Sequence, residues 1–355
     1  MKVSRLFLAI MVVLMVVLSV TTVSAQAFKP KAEYKMQVNV GPAFDWGMGA
    51  QRWADLVKEK TNGEIIIKPY FGSVLLAGKQ TNWYQAVADG SIDFVVESTI
   101  NASSVIKSLN LFSLPFLMNS YEDADAIENG KAGKLVIKDF EKGGIKFLAW
   151  GENGFRQVTN SKKVITSPAD MKGLKFRYVG SPIFLDIFKQ LGADAINMNW
   201  ADAVTAFQQG VVDGQENPKS VLTVVKIWEY HNYMTNWNYV LDPLIFGVNA
   251  NVWKKFPAKY QKAIQEAATE AAEYQKALAR TYLDGTKSID ILKNKFKVTA
   301  APNPFEIAKS KGMVITDLTP AQTQAFKDAT KPIYDKWVPI VGKAVYEAAL
   351  ADMKK

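Results

Sequence analysis

The chain alternates between two hydrophobic patterns along most of its length. Segments in which every second residue is apolar predict strands, as in residues 34–41 and 92–98. Segments with apolar residues three or four positions apart predict helices between the strands, as in residues 45–63, which end at Gly63. Strands separated by helices of this length are typical of βαβ units and a parallel sheet. We therefore expect an α/β fold.

The same alternation restarts near residue 154. Ser181 is a suitable helix cap, Pro182 suits the first helical position and Gly192 suits the end of a helix. Two sets of similar α/β units indicate two lobes with a cleft between them. Three helices are predicted in this second set: residues 181–192, 200–210 and 219–233.

The chain after residue 240 does not repeat the pattern a third time. Residues 258–282 are rich in Ala, Glu, Lys and Gln, which are strong helix formers. At about 1.5 Å per residue, this helix is long enough to span both lobes. Residues 320–355 are also amphipathic and predict helices.

The first 27 residues have the pattern of a secretory signal peptide. Lys2 and Arg5 precede an uncharged apolar run over residues 6–18, and small residues follow at Ala25 and Ala27. The apolar run is short for a membrane span, although a retained anchor is the alternative. We predict a signal peptide over residues 1–27 and a mature protein in the periplasm.

The composition leaves little room for catalysis. The chain has no Cys, so thiol nucleophiles and disulfides are absent, and His231 is its only His, so a His-pair zinc site is absent. We expect His231, which follows a helical pattern, to be a cap or surface residue. Residues 72–80 superficially resemble a phosphate-binding loop, but Ala77 stands where a second Gly is required. The net charge of +9 is scattered and does not favour nucleic-acid binding. We expect no enzymatic activity and no cofactor, and we assign no metal-ligating residue; the sequence leaves open whether a metal ion bridges a ligand and the protein.

Arg177 is the most informative single residue. It lies near the carboxyl end of a predicted strand, and a guanidinium is costly to bury there without an anion. A second predicted strand, residues 211–215, leads into a polar loop that includes Asn217. Ligands of parallel α/β sheets bind beyond the carboxyl ends of the strands. The anion is therefore a bound carboxylate or sulfonate, or an internal carboxylate of Glu216 or Asp213; the spacing leaves both open.

Two motifs resemble one known family. The pattern P-x-D-MKGLK-x-R occupies residues 168–177, and AFQ-x-G-VVDGQENP occupies residues 206–218. Both are similar to the solute-binding proteins of TRAP (tripartite ATP-independent periplasmic) transporters, the DctP-like family, and the resemblance covers essentially the whole mature chain. It implies a two-lobed, periplasmic-binding-protein-like fold with crossing strands. It also implies closure around an organic acid and delivery to the small and large subunits of a membrane permease.

The resemblance also implies the ligand-binding residues. The Arg of the first motif, Arg177, would pair with the acid, and the Asn of the second motif would add a contact. Arg156 would lie near the anion or order the site, and Trp200 would line the pocket. For the tryptophans the alternative is a place in the lobe core, and for Glu97 it is a structural carboxylate. The predicted site is Arg177, Asn217, Arg156, Trp200 and, by looser alignment, Trp237 and Glu97.

The lobes and the ligand are predicted more coarsely. We expect lobe I to comprise residues 28–153 and 243–282, and lobe II to comprise residues 154–242 and 283–355. Aromatic and apolar loops in lobe I indicate a compact pocket for a small anion. Candidates are lactate-like hydroxy acids, four-carbon dicarboxylates and sulfonates such as isethionate. We expect a monomer. The alternatives are a periplasmic α/β enzyme and a ligand sensor acting on a small organic acid.

Overall fold

The computed structural model describes residues 28–354, and from residue 31 onward they form one compact unit. The predicted signal peptide, residues 1–27, lies outside the described residues. Within the described part of the chain, each helix is too short or too polar to span a bilayer.

The strands of the described residues form two sheets. The first sheet has the order β2-β1-β3-β10-β4, and the second has the order β11-β9-β5-β8-β6-β7. We call the parts of the protein built on these sheets the first and second lobes. The strands are β1 (Tyr34–Val38), β2 (Ile67–Tyr70), β3 (Phe94–Ser98), β4 (Ile145–Phe155), β5 (Gln157–Asn160), β6 (Lys175–Tyr178), β7 (Asp194–Asn197), β8 (Gly214–Asn217), β9 (Tyr233–Asn236), β10 (Leu241–Asn249) and β11 (Val314–Asp317).

Helices cover the sheets and connect the strands. Short 3₁₀ turns occupy Val74–Leu76, Gln80–Asn82, Lys107–Ser113, Pro168–Met171 and Ile227–Glu229. The α-helices are α1 (Asp45–Lys60), α2 (Trp83–Ala88), α3 (Thr99–Ala102), α4 (Tyr121–Asn129), α5 (Lys131–Glu141), α6 (Pro182–Gln190), α7 (Trp200–Gln208), α8 (Ser220–Val224), α9 (Ala250–Lys255), α10 (Ala258–Arg280), α11 (Lys287–Asn294), α12 (Pro304–Ser310), α13 (Pro320–Val341) and α14 (Lys343–Asp352).

The α/β fold and the two lobes are confirmed, but both sheets are mixed rather than parallel. Strands β1, β2 and β3 are parallel, whereas β10 runs antiparallel to both β3 and β4. In the second sheet, β5 is antiparallel to β8 and β9, and β6 is parallel to β7 and β8. The antiparallel strands are those that carry the chain between the lobes.

The chain crosses between the sheets at two adjacent points. Strand β4 of the first sheet continues through Arg156 into β5 of the second, and β9 of the second sheet leads through residues 237–240 into β10 of the first. The amide of Arg156 donates to the carbonyl of Val240 at 2.9 Å, which ties the two crossings together. Arg156 therefore lies where the lobes are joined.

The long helix is present and begins where it was predicted. Helix α10 contains 23 residues and packs along α1 and β4 of the first lobe. Gln275 of this helix accepts from the amide of Glu152 at 2.7 Å and donates to the carbonyl of the same residue at 2.6 Å. Near its end, the carbonyl of Leu278 accepts from the Lys219 Nζ at 3.1 Å, which is a contact with the second lobe.

Two local predictions are wrong. Residues 219–233 do not form one helix, because Lys226 has φ 51° and separates α8 from a 3₁₀ turn. The polar residues Gln215, Glu216 and Asn217 do not form a loop but lie within β8. Side-chain partners satisfy their polar groups, so the strand continues through them.

The C-terminal helices return to the first lobe. Helix α13 contacts α6 of the second lobe and the 3₁₀ turn Lys107–Ser113 of the first, and α14 packs against α4 and α5. The carboxylate of Asp352 in α14 accepts from the amide of Ala132 at 2.8 Å. The residue bounds predicted for the lobes stay a prediction.

Candidate functional site

A cleft between the two lobes collects polar and aromatic side chains from both. The second lobe supplies residues from the ends of β6 and β8 and from the start of α7, as the carboxyl ends of strands predict. The first lobe supplies residues that follow β1 and β3. The lining residues are Asn39, Val40, Phe44, Trp46, Gln80, Ser98, Ile100, Asn101, Asn153, Arg156, Arg177, Val179, Trp200, Asn217, Ser220, Val221 and Asp242.

Arg177 presents a buried guanidinium to this cleft without a carboxylate partner. The side chain lies on β6, its residue is 1% exposed and its Nε donates to the carbonyl of Met198 at 3.0 Å. Its Nη2 has no hydrogen-bond acceptor in the part of the chain that the structure describes. Among the described residues no carboxylate lies within ion-pair distance of it. Burial lowers the pKa of Arg177 to about 10, so the group is still charged at neutral pH.

The two internal anions considered for Arg177 are engaged elsewhere. Asp213 accepts from the amide of Lys175 at 2.9 Å and lies 3.4 Å from the Lys162 Nζ. Glu216 forms a bidentate ion pair with Arg156, through Nε and through Nη2 at 2.8 Å. Neither of these carboxylates is therefore the ion-pair partner of Arg177.

Arg156 is also buried, but unlike Arg177 it has carboxylate partners. Its Nη1 donates to Asp242 at 3.1 Å, and its Nη2 also donates to Asn217 Oδ1 at 3.1 Å. Burial alone would lower the pKa of Arg156, but the charges of Glu216 and Asp242 raise it well above its usual range. Two carboxylates surround one guanidinium, so Arg156 orders the joint between the lobes and adds no positive charge to the cleft.

Trp200 closes the cleft from the second lobe. It is the first residue of α7, and its backbone amide donates to Gln80 Oε1 of the first lobe at 2.6 Å. Its ring contacts Phe44 of the first lobe at 6.2 Å between centroids. The Arg177 guanidinium lies 5.6 Å from the same ring, in a cation–π contact. Trp200 therefore joins the unpaired cation to the contact between the lobes.

Comparison with known proteins identifies the family of this chain. Residues 37–339 match the model of the bacterial extracellular solute-binding protein family 7, DctP. The chain belongs to this family. It is a TRAP transporter solute-binding protein, as its motifs predicted, and the family's members are periplasmic binding proteins that work with membrane permease components.

Three relatives illustrate the range of the family. A TRAP periplasmic solute-binding protein from Ralstonia eutropha H16, solved with bound (S)-2-acetolactate, is 44% identical, with a TM-score of 0.84 and coverage of 91% of this chain and 99% of that one. One from Shewanella oneidensis, solved with bound succinate, is 27% identical, with a TM-score of 0.80 and coverage of 90% and 99%. The 2,3-diketo-L-gulonate-binding periplasmic protein YiaO of Escherichia coli is 32% identical over 69% of this chain and 74% of its own length.

In this solute-binding protein, Glu97 lies beneath the cleft rather than on its surface. It is fully buried on β3 and accepts from Gln37 Nε2 and Asn101 Nδ2, each at 3.3 Å. Burial raises the pKa of Glu97 to about 8. Asn101 Oδ1 accepts from Gln80 Nε2 at 2.7 Å, and Gln80 holds the amide of Trp200. Glu97 is thus connected to the cleft through two amide side chains.

Trp237 is not among the residues that line the cleft. Its ring lies in an aromatic cluster with Tyr239 at 4.2 Å, Phe326 at 5.5 Å and Phe116 at 6.3 Å between centroids. The segment between β9 and β10 turns this side chain towards the core, which was the alternative considered from the sequence. The structure therefore gives no support to a ligand contact by Trp237.

His231 is buried, so the expectation of a surface or capping residue is wrong. Its residue is 1% exposed, its Nδ1 lies 2.8 Å from Thr159 Oγ1, and its ring contacts Phe207. Burial lowers the pKa of His231 to about 3, so the imidazole is neutral. The ring does not line the cleft.

Sequence reasoning missed the polar residues of the first lobe. Asn39 follows β1, and Ser98 and Asn101 lie at the end of β3 and in the helix after it. Asp242 accepts from Ser98 Oγ at 2.6 Å and from Asn153 Nδ2 at 2.8 Å. Their signal was available, because each follows or lies in a strand of the first sheet. The predicted aromatic contribution of this lobe is also present, in Phe44 and Trp46.

Proposed function

We propose that this protein captures a small organic acid with one carboxylate, using Arg177 as the cation, and delivers it to a TRAP permease. The observation that carries the proposal is the unpaired, buried guanidinium of Arg177 in the cleft between the lobes. An Arg fork binds a carboxylate through two parallel hydrogen bonds, and exclusion of water strengthens the ion pair.

The charges around the cleft favour a monoanion. Arg156 is already balanced by Glu216 and Asp242, so Arg177 is the cation left for the ligand. A second carboxylate would approach the buried anion of Asp242 without a cation of its own. Asn39 and Asn101 offer amides that suit a hydroxyl or oxo group. The proposed cargo class is therefore a hydroxy or oxo monocarboxylate, and the relative with bound (S)-2-acetolactate supports it.

Delivery would depend on closure of the lobes. The acid bridges Arg177 and Asn217 of the second lobe and the amides of the first, so it stabilises the closed arrangement over the open one. The permease would then recognise the closed surface. We further propose that residues 1–27 direct export and are cleaved, that the mature protein acts as a monomer without catalysis, and that the lobes have the bounds given above.

A thermal-shift panel on refolded, ligand-stripped protein tests this function. The panel contains (S)-2-acetolactate, lactate, isethionate and succinate. An acid at about 100 times its Kd adds roughly 2.7 kcal/mol to the free energy of unfolding and raises Tm by a few degrees. We expect a hydroxy or oxo monocarboxylate to produce the largest shift.

The control compares two losses of positive charge on one strand. Arg177→Ala should abolish every shift, whereas Lys175→Ala, at an exposed position of β6, should leave the shifts unchanged. An acid that stabilises Arg177→Ala as much as the unmodified protein would disprove the assigned site. A largest shift with succinate would disprove the monoanion class.

A further inference from the structure

A continuous line of hydrogen bonds runs from the cleft into the second lobe and ends at His231. Arg156 Nη2 donates to Asn217 Oδ1 at 3.1 Å, and Asn217 Nδ2 donates to Gln215 Oε1. Gln215 Nε2 donates to Thr159 Oγ1 at 2.7 Å, and Thr159 Oγ1 lies 2.8 Å from His231 Nδ1. We call these five residues the relay. His231 is thereby connected to a residue that lines the cleft.

The register of the second sheet explains why these side chains meet. Gln215 and Asn217 lie two positions apart on β8, so they point to the same face of the sheet. Gln215 pairs with Thr159 on the antiparallel neighbour β5 and with Arg177 on the parallel neighbour β6. The relay therefore lies on the face of the sheet to which Arg177 belongs.

Donor and acceptor chemistry gives the relay one direction. A guanidinium has no acceptor, so the atom of Asn217 that faces Arg156 must be Oδ1. Asn217 Nδ2 then faces Gln215, whose facing atom must be Oε1, and Gln215 Nε2 is left to donate to Thr159. The hydrogen-bond partners therefore fix the orientation of the amide groups of both Asn217 and Gln215.

The same reasoning assigns the proton of His231. Because Thr159 Oγ1 accepts from Gln215, its own hydrogen needs an acceptor, and His231 Nδ1 is the one within reach. Thr159 and His231 are both buried, and no hydrogen-bond partner of His231 Nε2 lies among the described residues. A proton on Nδ1 would leave both the threonine hydroxyl hydrogen and Nε2 without partners, whereas a proton on Nε2 leaves a single N–H without one, which is less destabilising. The imidazole therefore carries its proton on Nε2 and accepts at Nδ1. Its low pKa keeps it in this neutral state.

We propose that His231 is a positioning residue for acid recognition, acting through the relay on the amide of Asn217. The inference rests on the proposed role of Asn217 as a ligand contact. Arg156 holds one end of the relay and the His231 acceptor holds the other, so Asn217 keeps Nδ2 as a donor with a second N–H for a bound carboxylate. A reversed amide would present a carbonyl oxygen, which repels a carboxylate.

The first test needs no ligand. His231 is the only His of the chain, so its imidazole nitrogen resonances can be assigned without ambiguity by NMR of ¹⁵N-histidine-labelled protein. We expect a proton on Nε2 and a bare, hydrogen-bonded Nδ1, without titration between pH 5 and pH 8. A proton on Nδ1 would overturn the relay.

Asn217→Asp should reverse the tautomer. The carboxylate introduced by Asn217→Asp cannot donate, so Gln215 would turn its Nε2 towards it and present Oε1 to Thr159. Thr159 would then donate to Gln215, and His231 would have to donate from Nδ1. Asn251→Asp, at an exposed position, adds the same charge and should leave the tautomer unchanged. An unchanged tautomer in Asn217→Asp would show that no relay connects the two residues.

The second test measures binding of the acid that gives the largest shift in the panel above. Thr159→Val keeps the shape of the side chain but removes the hydroxyl, so the amide of Asn217 is no longer held as a donor. Binding should weaken about tenfold, the effect of losing the one hydrogen bond from Asn217 to the charged carboxylate. Thr159→Ser keeps the hydroxyl and should stay within about threefold. Equal losses, or no loss in Thr159→Val, would overturn the positioning role. A panel without any binding acid would disprove the proposed function, while the tautomer test would still decide the relay.

Discussion

At the scale of the residue, two buried guanidinium groups in one protein have opposite surroundings. Arg156 has Glu216 and Asp242 as ion-pair partners, whereas Arg177 has a backbone carbonyl and an aromatic ring. Removing one partner of a buried ion pair destabilises the fold, because the other charge is left unpaired. A buried charge that has no partner destabilises the fold as it stands. The difference between a paired and an unpaired guanidinium is the basis for proposing Arg177, and not Arg156, as the ligand-binding Arg.

This contrast predicts opposite effects on the stability of the ligand-free protein. Arg156→Met should lower the free energy of unfolding by about 3–5 kcal/mol, because it leaves two buried carboxylates unpaired. Arg177→Met should leave it unchanged or raise it, because an unpaired buried charge is removed. Urea denaturation of ligand-stripped protein measures both. If Arg177→Met is as destabilising as Arg156→Met, the Arg177 guanidinium is a structural group.

At the scale of the element, two helices of the second lobe begin at residues that contact the first lobe. Ser181 precedes α6, and its Oγ lies 2.8 Å from Ser103 Oγ of the first lobe. Trp200 begins α7, and Gln80 accepts from its amide. Helix N-termini carry backbone N–H groups without intrahelical acceptors, so the amide of Trp200 is available to Gln80, whereas Ser181 makes its contact through its side-chain hydroxyl. The two helix starts hold the lobes together beside the cleft.

Removal of one of these contacts should therefore weaken binding by favouring the open arrangement. Gln80→Ala is expected to weaken acid affinity about fivefold, the effect of roughly one net hydrogen bond. The change should lie mainly in the dissociation rate, measured by stopped-flow tryptophan fluorescence. Gln85→Ala, at an exposed position of α2, is the matched control and should have no effect. A slower association rate with unchanged dissociation would contradict the assigned role of Gln80.

At the scale of the whole molecule, the lobes are joined by adjacent crossings, and the cleft lies where they face each other. Such an arrangement allows rotation about the crossings, which lie near Arg156 and Val240. The same residues that line the cleft, Trp200 and Gln80 among them, form its closing contacts. The proposed function therefore couples occupation of the cleft to closure of the lobes.

Closure can be measured by a disulfide, because the chain contains no Cys of its own. In the variant Ser103→Cys with Ser181→Cys, the two thiols approach only when the lobes are closed. Disulfide formation under mild oxidation should be faster with the bound acid than without it. Each single variant serves as a control for intermolecular coupling. A rate that does not depend on the acid would contradict ligand-driven closure.

The sequence by itself determined the features that depend on near neighbours. Apolar spacing and capping residues predicted α6 from Ser181 and Pro182, the start of α10 at residue 258, and Arg177 near the end of β6. These features follow from backbone propensity and side-chain periodicity, which act within a few residues. The two sequence motifs also predicted the protein family correctly.

Only the tertiary structure decided which groups meet across the chain. Arg156 and Glu216 are 60 residues apart, and Arg156 and Asp242 are 86 residues apart, yet their pairing is what leaves Arg177 free. Packing likewise placed Trp237 in the core. Long-range pairs depend on sheet order and lobe contact, which local spacing does not encode. The site, an unpaired and buried cation in a cleft between the lobes, is therefore a property of the folded chain.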